Sequence, residues 1–158
     1  MAKLLLLFAL CLLPAIATAQ LAANPFLVTG KIYCDTCRCG YETTASKYLP
    51  GSLVKIVCKD RDTSRVTYEV EGVTDSTGTY NILVQSDHGD DACDAVLVKS
   101  SDPECSTPNS GRDKARVILT RNNGMVSDAR FVNAMGFSQN VPLASCPQIL
   151  QKYQEAED

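Results

Sequence analysis

The cysteines constrain what this chain can fold into more than any other feature. Cys11 is one of eight and lies in an apolar leader, which leaves seven for the mature chain. They are Cys34, Cys37, Cys39, Cys58, Cys93, Cys105 and Cys146. In an oxidising compartment, cysteines at this density normally form disulfides. Because seven is odd, at least one thiol is free, alternates between partners or pairs with another chain.

The leader has the three parts of a secretory signal peptide. A positive start at Lys3 precedes the apolar run Leu4–Ile16, and Ala17-Thr18-Ala19 supplies small residues, so cleavage is predicted after Ala19. The apolar run is shorter than the roughly 20 residues of a spanning helix. We therefore expect residues 1–19 to be removed and residues 20–158 to form one secreted, extracellular domain with no membrane insertion.

The charge of the mature chain excludes one class of partner. Without Lys3, 14 of the 15 basic residues remain against 18 acidic residues, a net charge of −4. Nucleic-acid binding requires a basic face, so a nucleic-acid partner is not expected.

Most of the chain has the period-two pattern of half-buried strands, rich in Val, Ile, Thr and Tyr. The predicted strands lie around Phe26–Ile32, Val54–Cys58, Val66–Val70, Tyr80–Val84, Val96–Val98 and Val117–Leu119, and a weaker seventh lies within Met125–Asn133. No helical segment separates them. The pattern predicts an all-β domain held by disulfides: one antiparallel β-barrel or sandwich of about six to seven strands.

Turn residues separate these strands. Asp75–Gly78 and Asp87–Asp90 read as turns, and Asn122-Asn123-Gly124 contains the strongest short hairpin signal. Ser100–Arg112 is rich in Ser, Pro, Asn, Asp and Gly and reads as a long loop. A short C-terminal helix is predicted within Cys146–Ala156, where Pro147 suits the first turn.

The cluster Cys34-x-x-Cys37-x-Cys39 has three interpretations. A redox pair belongs at the start of a helix in a βαβ unit, and this cluster ends a predicted strand. A zinc site needs four ligands, but there is no second close cysteine pair and His88 is the only histidine. Disulfide anchoring is therefore favoured, and no metal or cofactor is expected.

No catalytic group emerges from the remaining residues. His88 lies in an acidic turn, where a solvated imidazole is expected. Asp87, Asp90 and Asp91 do not follow the calcium-loop spacing. Glu69 and Glu71, like the charged run Arg112–Arg116, are expected on solvated strand faces. We therefore predict a protein that is not an enzyme, without N-glycosylation sequons.

Several blocks of the sequence together resemble one family. They are Gly30-Lys31-Ile32-Tyr33-Cys34-Asp35-Thr36-Cys37-Arg38, Gly40–Thr43, Pro50–Ser52, Val73-Thr74-Asp75 with Gly78-x-Tyr80, Asp87-His88, Lys99–Ser101, Asn133–Phe137 and Pro142-Leu143-x-x-Cys146. In their order and spacing they closely resemble the Ole e I-like family of pollen proteins, which includes the olive major pollen allergen. The resemblance covers nearly the whole mature chain.

The resemblance implies three disulfides: Cys34–Cys105, Cys37–Cys146 and Cys58–Cys93. Cys39 stands outside this pattern and is expected to be unpaired, to compete for Cys146 or to bridge to a second chain. The resemblance also implies that Val73–Tyr80 forms a central hairpin.

The family's activity suggests what this protein does. The resemblance implies a non-enzymatic pollen protein that acts in hydration, germination or tube growth. Its implied partners are a receptor-like kinase ectodomain or a wall component, and IgE in sensitised hosts. An alternative is a protease inhibitor that presents Ser100–Arg112, pinned by Cys105, with Arg112 offered to a trypsin-like pocket.

Overall fold

The computed structural model describes residues 25–154, which contain ten strands and one helix. The strands are β1 (Phe26–Asp35), β2 (Lys47–Tyr48), β3 (Leu53–Asp60), β4 (Val66–Val73), β5 (Thr79–Val84), β6 (Asp91–Lys99), β7 (Thr107–Pro108), β8 (Lys114–Val117), β9 (Ala129–Phe131) and β10 (Met135–Ser138). The helix α1 spans Cys146–Gln154. The strands form a six-stranded and a four-stranded sheet.

The six-stranded sheet is built around β1. The first half of β1 pairs with β5 in antiparallel and with β9 in parallel orientation. Its second half pairs with β10 in parallel and with β2 in antiparallel orientation, and β7 extends the sheet beyond β10. Phe26, Val28 and Ile32 are fully buried on the inner face of β1. This strand therefore connects the core to the cysteine-rich block at its C-terminal end.

The four-stranded sheet has the order β4-β3-β6-β8, and every pair is antiparallel. Its inner face contributes Val54, Ile56, Ala95 and Leu97 to a core shared with the six-stranded sheet. Burial of apolar side chains from both sheets is the main favourable term in the stability of such a domain.

Three parts of the predicted architecture were wrong. The two sheets do not close into a barrel. The first sheet is mixed rather than antiparallel, because β9 and β10 both run parallel to β1. The strand number is ten among the described residues: β9 lies within the predicted seventh strand, and β2, β7 and β10, with only two to four residues each, were not predicted. Such short runs do not show the period-two pattern on which the prediction relied.

Two predicted hairpins are also corrected. The turn at Asp75–Gly78 joins β4 to β5, but β4 pairs with β3 and β5 pairs with β1. The Asn122–Gly124 turn leads to β9, which pairs with β1 rather than with β8. Both turns therefore pass the chain from one sheet to the other, and neither closes a hairpin.

The buried face of β6 is formed by the residues that alternate with Val96 and Val98. Cys93, Ala95 and Leu97 are buried, whereas Val98 is exposed. The sequence Ala95-Val96-Leu97-Val98 is apolar on both faces, so its pattern cannot distinguish them.

The predicted C-terminal helix is present as α1, with Pro147 in its first turn. The predicted signal peptide at residues 1–19 lies outside the described residues. Among residues 25–154, no helix is long and apolar enough to cross a membrane.

Candidate functional site

Three disulfides cross the described domain. They join Cys34 to Cys105, Cys37 to Cys146 and Cys58 to Cys93, with sequence separations of 71, 109 and 35 residues. These are the pairs that the family resemblance implies. The first two converge on the end of β1, so the loop at Cys105 and the start of α1 are both tied there. The third joins directly opposite residues of β3 and β6.

The buried carboxylate of Asp35 organises the cysteine loop, which we define as residues 36–40. Its Oδ1 accepts a hydrogen bond from the Cys37 N–H (3.2 Å), and its Oδ2 accepts one from the Gly40 N–H (2.7 Å). The Asn109 amide also donates to Oδ2, at 3.2 Å. A carboxylate with several donors fixes the backbone around it. Asp35 thus holds the loop in one conformation.

Two arginines project from this end of the domain. Arg38 has a left-handed backbone (φ 56°), and its Nη1 donates to the Asn140 carbonyl at 3.0 Å. The Arg112 Nε donates to the Gly40 carbonyl at 3.3 Å. Both side chains are exposed, and neither forms an ion pair within residues 25–154. Main-chain oxygens therefore hold both guanidinium groups in position.

Three tyrosines belong to the segments that follow the cysteine loop and to α1. The rings of Tyr41 and Tyr153 meet edge to face with centroids 5.9 Å apart, and the Thr44 N–H donates to the Tyr153 hydroxyl at 2.9 Å. The Tyr48 hydroxyl donates to Glu42, and this bond raises the pKa of Tyr48. Together Arg38, Tyr41, Tyr48, Arg112 and Tyr153 form what we call the bridged-end surface.

Cys39 is a free, half-buried thiol beside this surface. Its Sγ lies 3.4 Å from the Tyr41 carbonyl and 3.6 Å from the Asp35 Oδ1. Burial, assisted by the negative charge of Asp35, raises the pKa of Cys39. Because the thiolate is the reactive form, this environment disfavours disulfide exchange at neutral pH.

His88 is bonded and packed rather than solvated, so that expectation was wrong. Its side chain is 9% exposed, its Nδ1 lies 3.0 Å from Asp91 and its Nε2 lies 3.1 Å from the Gln85 carbonyl. The ring also packs against Tyr68. With both nitrogens occupied by main-chain or carboxylate oxygens, the imidazole has no free position for proton transfer to a substrate.

His88 also lies beside the Cys58–Cys93 disulfide. A nitrogen of the imidazole and the two sulfur atoms all lie within 4.8 Å of one another, which resembles part of a metal site. Metal binding by cysteine requires thiolates, and here the two sulfurs are bonded to each other. In the oxidised protein this group is therefore structural.

The outer face of the four-stranded sheet carries paired charges. Lys55 lies 3.4 Å from both Glu69 and Glu71, and Arg116 lies 2.6 Å from Asp94. These cross-strand ion pairs are solvent-exposed. The prediction that Glu69, Glu71 and Arg116 lie on a solvated face is confirmed.

The outer face of the β5–β1–β9 region differs, and the sequence reasoning did not identify it. On this face, Leu27 of β1 lies between Leu83 of β5 and Ala129 of β9. Two residues further along β1, Thr29 lies between Asn81 and Phe131. None of these side chains is charged, and Phe131 is 82% exposed.

Six residues of the site were not singled out from the sequence: Asp35, Arg38, Tyr41, Tyr48, Asn109 and Tyr153. Asp35 and Arg38 stood inside the cysteine block and were the only ionisable residues between Cys34 and Cys39. Their position between these cysteines was the sequence signal that could have identified them as residues of the site. Asn109 and Tyr153 are distant in sequence, and their contacts follow from the tertiary fold.

Comparisons with known proteins agree with these structural features. Residues 24–154 match the family model described as "Pollen protein Ole e 1 like". Pollen allergen Cro s 1 of Crocus sativus is 42% identical over 151 residues, covering 94% of this chain and 90% of the relative. Anther-specific protein LAT52 of Solanum lycopersicum is 39% identical over 153 residues, covering 96% and 95%.

A solved structure shows the same fold. The major plantain pollen allergen Pla l 1 superposes with a TM-score of 0.69 at 31% identity, covering 77% of this chain and 99% of the allergen. The relatives named here are pollen allergens or an anther-specific protein, and none of these names denotes an enzyme.

Proposed function

Because this chain belongs to the Ole e 1-like family of pollen proteins, we propose that it is a secreted, non-enzymatic pollen protein that binds an extracellular protein partner. The partner is a receptor-like kinase ectodomain or a wall-associated protein, and the binding serves pollen hydration, germination or tube growth. The names of the relatives place them in pollen and anther, which supports this setting.

The observation that carries the proposal is the bridged-end surface. Two disulfides and the Asp35 hydrogen bonds hold exposed tyrosines and arginines in fixed positions. Tyrosine and arginine are enriched at binding hot spots, because they combine large contact areas with directed polar groups. A surface held in place before binding loses little conformational entropy when a partner docks.

A pull-down tests the proposal. Mature, oxidised protein is immobilised and exposed to membrane and wall extracts of pollen tubes and pistil, with reduced and alkylated protein as the control. Capture of a defined ectodomain or wall protein by the oxidised form alone is the expected result. Equal capture by both forms, or no capture by either, contradicts the proposal.

The relatives named as allergens support a second binding partner. Cro s 1 and Che a 1 are both named pollen allergens and are each 42% identical to this chain. We propose that IgE from sensitised hosts also binds this protein. Immunoblots of oxidised protein with sera reactive to these relatives test that binding.

The protease-inhibitor alternative has less support. An inhibitory loop has to offer its backbone to the protease in an extended, accessible form. Here the Arg112 carbonyl accepts a hydrogen bond from the Gly136 N–H of β10 at 3.0 Å, and β7 within the loop pairs with β10. Trypsin assays with the wild type and Arg112→Ala distinguish the two functions, and we expect no inhibition by either protein.

A further inference from the structure

We infer that the bridged-end surface takes a carboxylate-rich segment of the partner protein. This inference rests on the proposed function and specifies the chemistry of the partner. Arg38 lies within the cysteine loop and donates to the Asn140 carbonyl, and Arg112 donates to the carbonyl of Gly40 at the end of the same loop. Both guanidinium groups keep N–H donors that are not used in these bonds.

Cations outnumber exposed carboxylates in the segments that carry the residues of this surface. Residues 36–48, Arg112 and α1 carry four cations, which are Arg38, Lys47, Arg112 and Lys152. Glu42 is the only carboxylate that these segments expose, and it accepts a hydrogen bond from Tyr48. The mature chain as a whole has 14 basic and 18 acidic residues. A partner with carboxylates is complementary in charge to these segments.

The backbone of Arg38 is a second indication. A left-handed backbone at φ 56° is unfavourable for a residue with a Cβ atom, and Gly or Asn adopts it at lower cost. The Asp35 hydrogen bonds and the Cys37–Cys146 disulfide hold the loop in this conformation despite that cost. Such strain is found at binding sites, where it serves to present a side chain.

The tyrosines supply the apolar part of the same contact. Tyr41 and Tyr48 expose about two fifths of their surfaces beside the arginines. An acidic segment that also contains apolar side chains can therefore place carboxylates on the guanidinium groups and cover the rings. Planar guanidinium groups bind carboxylates with two parallel hydrogen bonds, which gives directional selectivity.

The test compares two double variants with the same change in net charge. Arg38→Asn with Arg112→Gln removes the proposed contacts while Asn tolerates the left-handed backbone. Lys59→Gln with Lys114→Gln is the matched control, because these exposed lysines form no ion pair among the described residues and lie on the four-stranded sheet. Thermal unfolding of all proteins verifies that they are folded.

The probe is a short fluorescent peptide of alternating Glu and Ser, and its Gln-for-Glu analogue is the neutral control. We expect the arginine double variant to bind the acidic peptide about tenfold more weakly than the wild type at low salt, and the lysine control to stay within about twofold. Arg112→Lys in the wild-type background should bind the acidic peptide more weakly than the wild type, because a lysine ammonium cannot form two parallel hydrogen bonds with a carboxylate. Equal losses in both double variants, or equal binding of both peptides, overturn the inference.

The pull-down separates failure of the inference from failure of the proposed function. If the oxidised arginine double variant captures the same partner as the wild type, the partner is bound but not through this surface, and the inference is wrong. If the oxidised wild type captures no partner, the proposed function itself is contradicted. If the arginine double variant alone loses capture of the partner, the result supports both the inference and the proposed function.

Discussion

The ring of Tyr80 lies directly across the backbone of Gly30 in the neighbouring strand. The two residues are opposite each other in the pairing of β1 with β5, and a Cβ atom at Gly30 would stand 2.3 Å from the Tyr80 hydroxyl oxygen. The same arrangement recurs between β1 and β10, where the ring of Tyr33 covers Gly136. A glycine weakens a strand because it has no side chain to pack. An aromatic ring from the neighbouring strand compensates by packing on the backbone that the glycine leaves uncovered.

Replacing Gly30 by alanine should destabilise the protein by about 1–3 kcal/mol, because the added methyl group overlaps the Tyr80 ring. Urea unfolding of the oxidised protein measures the change. Combining Gly30→Ala with Tyr80→Leu should cost less than the sum of the two single changes, since the smaller side chain removes the overlap. Strict additivity would show that the ring and the glycine are not coupled.

Tyr80→Phe should leave the free energy of unfolding unchanged or raise it by up to about 1 kcal/mol. The Tyr80 hydroxyl is buried and has no hydrogen-bond partner among the described residues. Burial also raises the pKa of Tyr80. Removing a buried polar group without a partner relieves its desolvation penalty. A loss of stability in the same unfolding experiment would contradict this account.

Arg130→Met should destabilise the protein by about 2–4 kcal/mol, and Phe131→Ser should change its stability by less than about 0.5 kcal/mol. Arg130 is buried and donates to the carbonyls of Ile118, Ser127, Ala129 and Thr120. Its guanidinium also lies 4.7 Å from the centroid of the Phe26 ring. Phe131 is exposed on the opposite face of the same strand. Arginine is usually exposed and phenylalanine usually buried, and in β9 the two are reversed. Denaturant unfolding of both variants tests whether the buried arginine contributes more to stability than the exposed phenylalanine.

The free energy of unfolding should decrease as the pH falls below about 4. Hydrogen bonds from the Arg121 N–H, the Thr120 hydroxyl and the Gly89 N–H lower the pKa of Asp87 in the folded state. A carboxyl with a lowered pKa stabilises the fold above its unfolded-state pKa, and the contribution disappears as the pH falls through the folded-state value. Asp87→Asn should therefore lose less stability on acidification than the wild type. Parallel pH profiles of unfolding would contradict the assignment.

Peptide mapping without reduction should recover Cys34 linked to Cys105, Cys37 to Cys146 and Cys58 to Cys93. Cys39 should be recovered as the single alkylated cysteine of the mature chain. Its raised pKa predicts slower alkylation at neutral pH than that of glutathione, and a rate that increases steeply in alkaline buffer. Recovery of a peptide that joins Cys39 to Cys146 would show that the alternative pairing forms.

Most of the long strands could be predicted from the sequence. β3, β5 and the first half of β1 bury every second residue, whereas the last four residues of β1 are all buried. β10 could not be predicted in this way, because its first three residues are all buried and Gly136 stands between Met135 and Phe137. The pattern of β6 was visible but ambiguous, since apolar residues occupy both of its faces.

The β-rich class, the C-terminal helix and the need for disulfides could be predicted from the amino-acid sequence. These properties depend on local periodicity and on residue chemistry, which are the same wherever the segments lie in space. The parallel pairing of β9 and β10 with β1, the Asp35 hydrogen bonds to the cysteine loop and the positions of Arg38 and Arg112 depend instead on the tertiary fold. Asn109 reaches Asp35 across 74 residues, and Arg112 reaches Gly40 across 72. Contacts of that span depend on how the whole core packs, and no local pattern encodes them.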